Sequence, residues 1–171
     1  MGEERRVLVV RHGIAQESGE AERAGIADAD RALTDTGIHR TRAAAAGLRS
    51  VASRLDAIAH SPLRRARETA DLLSAAYAAV RKESLPALAP GGAFGDIYEW
   101  IGRFPCGTTV ALVGHEPSLG LWISDALGGG GKDFVIMKKA GACLLEYEAR
   151  PGPAGARLHW LLPPRILRAL S

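Results

Sequence analysis

Short apolar runs recur along the chain, separated by longer stretches in which small and polar residues dominate. The centres of two of these runs, Val7–Val10 and Val110–Val113, contain no polar residue, which is typical of strands buried on both faces of a sheet. Runs of this kind predict strands over Arg6–Val10, Leu55–His60, Arg81–Leu85, Thr108–Gly114, Ala142–Ala149 and Ala156–Leu162.

The stretches between the strands predict helices. Thr34 is a suitable N-cap for an Ala-rich helix that runs to about Ser50. Further helices are expected over Leu63–Tyr77 and from Gly91 to Arg103. Pro117 suits the first turn of a helix after the fourth strand, because its missing N–H would be unpaired there anyway.

Three other stretches show no clear period. Residues 14–32 are rich in small and acidic residues and predict a long loop, and Gly128–Lys132 predicts a flexible one. Pro163–Ser171 predicts a short helix or coil. Since strands and helices otherwise alternate, we expect an α/β fold, a three-layer α/β/α sandwich around a mostly parallel central sheet.

Length and composition fit one soluble domain that spans residues 1–171. The chain is 47% hydrophobic and 24% charged, and its longest apolar runs are far shorter than a membrane span. No secretory signal is visible at the N-terminus, and the two cysteines, Cys106 and Cys143, lack the spacing of a disulfide framework or a CxxC site. We therefore expect a cytoplasmic protein that does not enter a membrane.

Several other function classes are not supported by the sequence. The net charge is only +3, and no Lys/Arg run with interleaved aromatic residues predicts a nucleic-acid surface. The glycines Gly128–Gly131 and Lys132 lack the spacing of a phosphate-binding loop, because Asp133 follows the lysine. The five histidines show no HxH or HExxH pairing, so no metal site is predicted.

Residues able to carry chemistry follow three of the predicted strands. They lie in Arg11–Gly13, His60–Arg65 and Gly114–Pro117. Ligands of open α/β sheets bind outside the carboxyl ends of the strands. Folding is therefore expected to bring two histidines and several arginines together at one edge of the sheet.

Such a group suits phosphoryl transfer without a metal. Guanidinium groups bind tetrahedral phosphoryl oxygens through charge-assisted hydrogen bonds. A neutral imidazole can attack phosphorus and form a covalent intermediate, and a second histidine, if charged, would stabilise the equatorial oxygens in the transition state. Gly13 is expected to leave room beside the nucleophile.

The same residues resemble the histidine phosphatase superfamily, which has the phosphoglycerate mutase-like fold. Arg11-His12-Gly13 resembles its RHG signature. Three further motifs follow: Arg31-Ala32-Leu33-Thr34-x-x-Gly37, Ser61-Pro62-Leu63-Arg64-Arg65-Ala66-x-x-Thr69 and Val113-Gly114-His115-Glu116-Pro117-x-Leu119-Gly120. Their order and spacing resemble the small SixA-type phosphohistidine phosphatases over nearly the whole chain.

This resemblance implies roles for individual residues. The implied catalytic residues are His12 as nucleophile, Arg11 and Arg65 as phosphate ligands, and His115 as the second pocket histidine. Arg31 and Gly13 are implied to contribute to binding of the phosphate or the substrate. Ser61 and Glu116 are candidates for substrate binding, with capping and turn roles as the alternative.

One departure from the superfamily concerns the leaving group. Members that cleave phosphate esters usually place an acidic proton donor after the second helix, but Leu85–Gly92 contains no carboxylate. An alkoxide normally needs a general acid, whereas an imidazole, with a free pKa of roughly 6.5, leaves phosphorus readily. The sequence therefore favours a phosphoramidate such as phosphohistidine, with Glu83, Asp96 and Glu99 as alternative donors from nearby.

We therefore expect a metal-independent phosphatase without a cofactor, acting on phosphohistidine in a protein such as a phosphotransfer domain of a signalling relay. The chain lacks a large insertion that could form a lid, and an open pocket suits a protein-borne phosphate. A phosphatase of small phosphorylated metabolites and a non-catalytic module that binds a phosphorylated ligand are the alternatives.

Overall fold

In the computed structural model, which describes residues 4–171, the apolar runs form the strands of one sheet. They are β1 Arg5–Arg11, β2 Ala57–His60, β3 Lys82–Ser84, β4 Thr109–Gly114, β5 Ala142–Tyr147 and β6 Ala156–Leu162. Their order across the sheet is β3-β2-β4-β1-β5-β6. The first four strands are parallel, while β5 runs antiparallel to β1 and to β6. The predicted mostly parallel sheet is confirmed.

Within the described part of the chain, the connecting stretches form six helices. They are α1 Ser18–Arg23, α2 Asp35–Val51, α3 Arg64–Ala76, α4 Phe94–Gly102, α5 Ser118–Gly128 and α6 Pro164–Ala169. Single turns of 3-10 helix lie at Asp28–Asp30 and Pro86–Leu88. Thr34 caps α2 as predicted, because its hydroxyl accepts from the N–H of Gly37 at 3.0 Å. No helix within residues 4–171 is long and apolar enough to cross a membrane.

Two predictions about these connections were wrong in detail. Residues 14–32 do not form a continuous loop, since they contain α1 and a 3-10 turn. Only Ala21 of α1 is buried, so this short polar helix has no apolar period to reveal it. Pro117 does not lie inside α5 but directly before it, where its carbonyl accepts the N–H of Leu121 at 3.0 Å.

Helices cover both faces of the sheet because successive residues of a strand point to opposite sides. Val7 of β1 belongs to a core cluster with Trp100 of α4 and Trp122 of α5. The next residue, Leu8, belongs to a second cluster with Leu48 of α2 and with residues of α3 and α6. The three-layer α/β/α sandwich is confirmed.

The parallel strands β1, β2 and β4 end at the same edge of the sheet. Arg11 pairs with Gly114, and His60 pairs with Val113. The ladder continues one residue further, since the N–H of His12 donates to the carbonyl of Gly114 at 3.0 Å. The residues that follow these strands therefore meet at the carboxyl edge of the sheet, as predicted.

Candidate active site

Two buried histidines lie side by side at the carboxyl edge. The ring centroids of His12 and His115 are 5.0 Å apart, and the two residues are 7% and 2% exposed. Nδ1 of His12 lies 2.7 Å from the carbonyl oxygen of Gly13. Because a carbonyl oxygen can only accept, Nδ1 carries the proton and Nε2 keeps its lone pair. His12 is thus held as the tautomer whose Nε2 can attack an electrophile.

Both imidazoles are neutral near pH 7. Burial lowers the pKa of His12 to about 3; the hydrogen bond to Gly13 opposes this shift, while the charges of His115, Arg65 and Arg11 add to it. Burial likewise lowers the pKa of His115 to about 4, and Arg65 contributes to that shift. His12, which the sequence predicts as the nucleophile, therefore has a neutral ring with a free lone pair on Nε2. The lowered pKa of His115 favours its neutral form in the free protein, and a charge on this histidine in the transition state stays a prediction.

Ser61 holds the second histidine. Its hydroxyl oxygen lies 2.8 Å from Nε2 of His115 and accepts from the backbone N–H of Leu63 at 3.3 Å. The serine therefore makes both a turn contact before α3 and a contact with the pocket. Nδ1 of His115 is buried and has no hydrogen-bond partner among residues 4–171. Buried polar atoms are normally paired, so this ring nitrogen is a candidate contact for a ligand.

Arg11 and Arg65 are each anchored through the terminal Nη atoms of the guanidinium group. Arg11 donates from Nη1 to the carbonyl of Met137 at 2.8 Å. Arg65 donates from Nη1 to the carbonyl of Asp28 at 2.7 Å and from Nη2 to its carboxylate at 3.1 Å. In both arginines Nε is buried and unpartnered within the described part of the chain. Each therefore keeps a free N–H donor near the histidines whose pKa values it lowers.

Asp28 is a residue of this site that the sequence analysis missed. Its carboxylate accepts from Nε of Arg31 at 2.9 Å and also contacts Arg65. Partial burial alone would raise the pKa of Asp28, but Arg31 and Arg65 outweigh it and lower that pKa. Arg31 additionally donates to the carbonyl of Gln16 at 2.6 Å. The only signal in the sequence is the spacing of three residues between Asp28 and Arg31.

Thr69 connects the segment that contains His12 and Gly13 to α3. The N–H of Gly13 donates to its hydroxyl at 3.0 Å, and that hydroxyl donates to the carbonyl of Arg65 at 2.8 Å. One side chain thereby fixes the end of β1 relative to the helix that carries Arg65. Thr69 belongs to a motif found in the sequence, but its role follows only from these contacts.

The reason for glycine at position 13 differs from the expected one. A Cβ at Gly13 would overlap the hydroxyl of Thr41 on α2 and come within 3.3 Å of Leu33. The absent side chain therefore lets the end of β1 approach α2 closely. The prediction that Gly13 opens space beside the nucleophile is replaced by this packing requirement.

Glu116 is directed at the backbone of the segment after α5. Its carboxylate accepts from the N–H of Met137 at 2.9 Å, while Arg11 binds the carbonyl of the same residue. The two side chains fix this segment because one binds the N–H and the other the carbonyl of Met137. Glu116 is thus occupied by the protein itself, which favours positioning over the predicted contact with substrate.

The carboxylates considered as proton donors lie elsewhere. The carboxylate of Glu83 accepts from the indole N–H of Trp100 at 2.9 Å. Asp96 and Glu99 line a cavity beside Arg5, at the start of β1, whereas His12 follows its end. Glu83 is thus engaged by Trp100, and Asp96 and Glu99 lie near the opposite end of β1 from His12. Within residues 4–171, no three His, Cys, Asp or Glu side chains are grouped so that they could hold a metal ion.

Comparisons with known proteins agree with the motifs. Residues 7–89 match the sequence profile of the histidine phosphatase superfamily (branch 1). A curated relative, an uncharacterized protein of Picosynechococcus sp. (strain ATCC 27264 / PCC 7002 / PR-6), is 36% identical over 168 residues. The matched region covers 90% of this chain and 96% of that protein.

Solved structures confirm the phosphoglycerate mutase-like fold. The protein histidine phosphatase SixA complexed with tungstate has a TM-score of 0.75 at 20% identity, covering 95% of this chain and 99% of that one. Mycobacterial glucosyl-3-phosphoglycerate phosphatase has a TM-score of 0.68 at 18% identity, with coverages of 94% and 99%. Phosphoglycerate mutase from Plasmodium falciparum has a TM-score of 0.65 at 16% identity, with coverages of 92% and 90%. At such identities the likeness concerns the fold alone.

Proposed function

The chain belongs to the histidine phosphatase superfamily, and from this premise we propose that it hydrolyses phosphorylated substrates through a phosphoryl group carried on Nε2 of His12. The observation that carries this proposal is the tautomer of His12. Its Nδ1 proton is held by the carbonyl of Gly13, and burial keeps the ring neutral, so Nε2 has a free lone pair. A neutral imidazole in this form is a competent nucleophile toward phosphorus.

The reaction takes place in two displacements. In the first, Nε2 of His12 forms a bond to phosphorus as the bond to the leaving group breaks, and the leaving group takes a proton from solvent. In the second, water attacks the phosphoryl group, the N–P bond breaks, and phosphate is released with the imidazole restored. No metal or cofactor is required in this scheme.

The phosphoryl oxygens are bound by the unused donors of the site. Arg11 and Arg65 each keep a buried Nε–H without a protein partner in the described residues. If the hydroxyl of Ser61 donates to Nε2 of His115, then Nδ1 of His115 carries the proton and donates to the same oxygens. Donors fixed in a buried site stabilise developing charge strongly, since little reorganisation is needed. A bound dianion also raises the pKa of His115 and favours its charged form.

Phosphohistidine in a protein is the substrate that we propose first. The stretch Leu85–Gly92 contains no carboxylate, and its buried residue Leu88 packs close to Gly114 at the site. The carboxylate that does contact the site, Asp28, has a lowered pKa and is a poor proton donor. A leaving group that needs little acid assistance, such as imidazole, fits these surroundings.

A phosphatase of small phosphorylated metabolites is the second candidate. It is supported by the fold shared with a glucosyl-3-phosphoglycerate phosphatase. Non-catalytic binding of a phosphorylated ligand is the third possibility, and it differs from both others in predicting no turnover.

A substrate ranking separates these functions. Rates of phosphate release should be compared for a phosphohistidine peptide, a phosphoserine peptide, an aryl phosphate and a sugar phosphate. We expect the phosphohistidine peptide to have the highest kcat/KM, and His12→Ala to lower it by about four orders of magnitude or more. His39→Ala, which removes an exposed histidine of α2, is the matched control and should retain full activity.

Each contrary result has a definite meaning. Preference for the sugar phosphate would replace the first substrate proposal by the second. Binding of the phosphohistidine peptide without turnover by the wild-type protein would contradict the enzymatic proposal as a whole.

A further inference from the structure

A cationic groove lies beside the candidate active site. Arg11 and Ile14, which flank His12 and Gly13 in the chain, are part of its wall, and its volume is about 440 Å³. The other basic residues that line it are Arg40, Lys138, Lys139, Arg165 and Arg168. None of the lining residues is acidic.

Topology places this groove at the same edge of the sheet as the histidines. Leu162 at the end of β6 pairs with Ala142, which pairs in turn with Val10 near the end of β1. The helix that follows β6, α6, therefore begins at the carboxyl edge. It packs against α2, and the two helices contribute Arg165 and Arg40 to the groove.

The charge of the groove is not balanced by the protein. None of the five cations beyond Arg11 forms an ion pair with a carboxylate within residues 4–171. Exposed arginines elsewhere, such as Arg54 and Arg64, do have carboxylate partners. Clustered like charges oppose folding slightly, and they raise the local concentration of anions. The groove is therefore built to receive negative charge.

The distribution of the cations favours a chain segment over a single compact anion. Arg40, Lys138 and Arg165 are exposed and come from three separate segments of the protein. A single phosphate is best bound by guanidinium groups that converge on it, whereas exposed cations spaced along a groove suit several carboxylates. The lining also includes Pro163 and Pro164, which offer apolar contact to the stems of acidic side chains.

Resting on the proposed phosphatase function, we propose that this groove binds an acidic segment of the phosphorylated protein. Carboxylates that flank the phosphorylated residue contact Arg40, Lys138 and Arg165 while the phosphoryl group enters beside His12. The groove thus selects phosphohistidine in an acidic sequence context over the same group in a neutral one.

The test compares two phosphohistidine peptides of equal length. One carries several Asp and Glu residues beside the phosphohistidine, and the other carries Asn and Gln at the same positions. Since exposed ion pairs are individually weak, we expect the acidic peptide to have a kcat/KM about ten-fold higher. The advantage should shrink when NaCl is raised from about 50 mM to about 300 mM, because the Debye length falls.

Charge-neutral variants localise the effect. The triple variant Arg40→Gln, Lys138→Gln and Arg165→Gln should reduce the preference to less than about two-fold, with an unchanged rate on free phosphoramidate. The matched control is Arg49→Gln, Arg81→Gln and Arg103→Gln, which removes the same charge from exposed residues near the other end of the sheet. The control should keep the full preference for the acidic peptide.

The outcomes distinguish this proposal from the function on which it rests. Absence of turnover with phosphoramidate and with both peptides would contradict the phosphatase function itself. Equal kcat/KM for the two peptides, in a protein that hydrolyses phosphoramidate, would overturn only the groove. The groove proposal would also be overturned if the control variant lost the preference for the acidic peptide as fully as the groove variant.

Discussion

Two cavities lie at opposite edges of the sheet, and the larger one is not where the histidines meet. The larger, of about 990 Å³, lies beside the start of β1 and is lined by acidic as well as basic residues, among them Asp96, Glu99 and Arg103. Its buried arginine, Arg5, uses Nε and Nη1 to bind the carbonyls of Phe104 and Ala149.

The carboxyl edge differs in how its polar groups are used. Nε of Arg11, Nε of Arg65 and Nδ1 of His115 are all buried without partners in the described residues. The adjoining groove, of about 440 Å³, has no acidic lining residue. The hydroxyl of Tyr147, which pairs with Arg5 at the start of β1, is also buried without a partner in the described residues. The carboxyl edge is therefore distinguished by three such nitrogens together with a groove of unbalanced charge, rather than by cavity size.

Removing an arginine from each edge tests this contrast most strongly. Arg65→Gln removes a fixed donor and a charge from the carboxyl edge, so we expect kcat/KM to fall by about 100- to 1000-fold. Arg103→Gln, at the other cavity, should change kcat/KM by less than about two-fold, since its exposed ion pair with Glu99 contributes little. Steady-state kinetics with an aryl phosphate or phosphoramidate measures kcat/KM for both variants. Equal losses of kcat/KM would contradict the location of the chemistry at the carboxyl edge.

Adding a methyl group to a glycine at each edge tests the packing. Gly13→Ala should destabilise the protein by about 1–3 kcal/mol, because its Cβ overlaps the hydroxyl of Thr41. The free energy of unfolding, measured with urea, should recover when Thr41→Ala is added. Gly95→Ala, at the large cavity, meets no atom within 4 Å and should not destabilise. Lack of rescue by Thr41→Ala would contradict the proposed overlap.

Asp28 supplies a smaller test that concerns anion affinity. Its carboxylate binds Nη2 of Arg65 and partly neutralises the charge that would attract a phosphate at Nε, so Asp28→Asn should tighten inhibition by inorganic phosphate by about three- to ten-fold. Asp96→Asn at the other cavity should leave that inhibition constant unchanged. Weaker inhibition in Asp28→Asn would mean that the carboxylate mainly orients Arg65 for the phosphate.

The titration of the two histidines in the ligand-free protein is expected to show no change near neutral pH. Since the pKa values of His12 and His115 are lowered to about 3 and about 4, both rings stay neutral from pH 8 down to pH 5. Their ¹⁵N chemical shifts should not titrate in that range. A titration midpoint near pH 6.5 for either ring would contradict the burial argument.

The same lowered pKa values have a consequence for stability. Unfolding lets both rings take up protons below about pH 6.5, while the folded protein keeps them neutral, so stability should fall as the pH drops from about 6.5 to about 4. Urea denaturation at several pH values measures this slope, which should be smaller in His12→Asn. An unchanged slope in that variant would contradict the contribution of His12.

Much of this arrangement could be predicted from the sequence because it depends on local pattern. Val7–Val10 lacks polar residues, so its burial on both faces follows directly. The position of His12 and His115 at strand ends then follows from the rule that parallel strands end at one edge. These features need no knowledge of distant contacts.

The remainder depends on contacts between residues far apart in the chain. Asp28 lies in a polar stretch, and its link to Arg65 spans 37 positions. Glu116 reaches Met137 across 21 positions, so its positioning role could not be read from its motif. The polar helix α1 buries one alanine and carries no apolar period. Each of these features is set by tertiary contacts that local pattern does not encode.

The central claim is that Nε2 of His12 carries the phosphoryl group. Its most direct test is to trap the phosphoenzyme with a phosphohistidine peptide or phosphoramidate and to identify the modified atom by mass spectrometry and ³¹P–¹⁵N NMR. We predict an acid-labile, base-stable phosphoramidate on Nε2 of His12, because the proton of Nδ1 is bound to the carbonyl of Gly13. Phosphate on Nδ1 of His12, on Ser61 or on Cys106 would contradict the account.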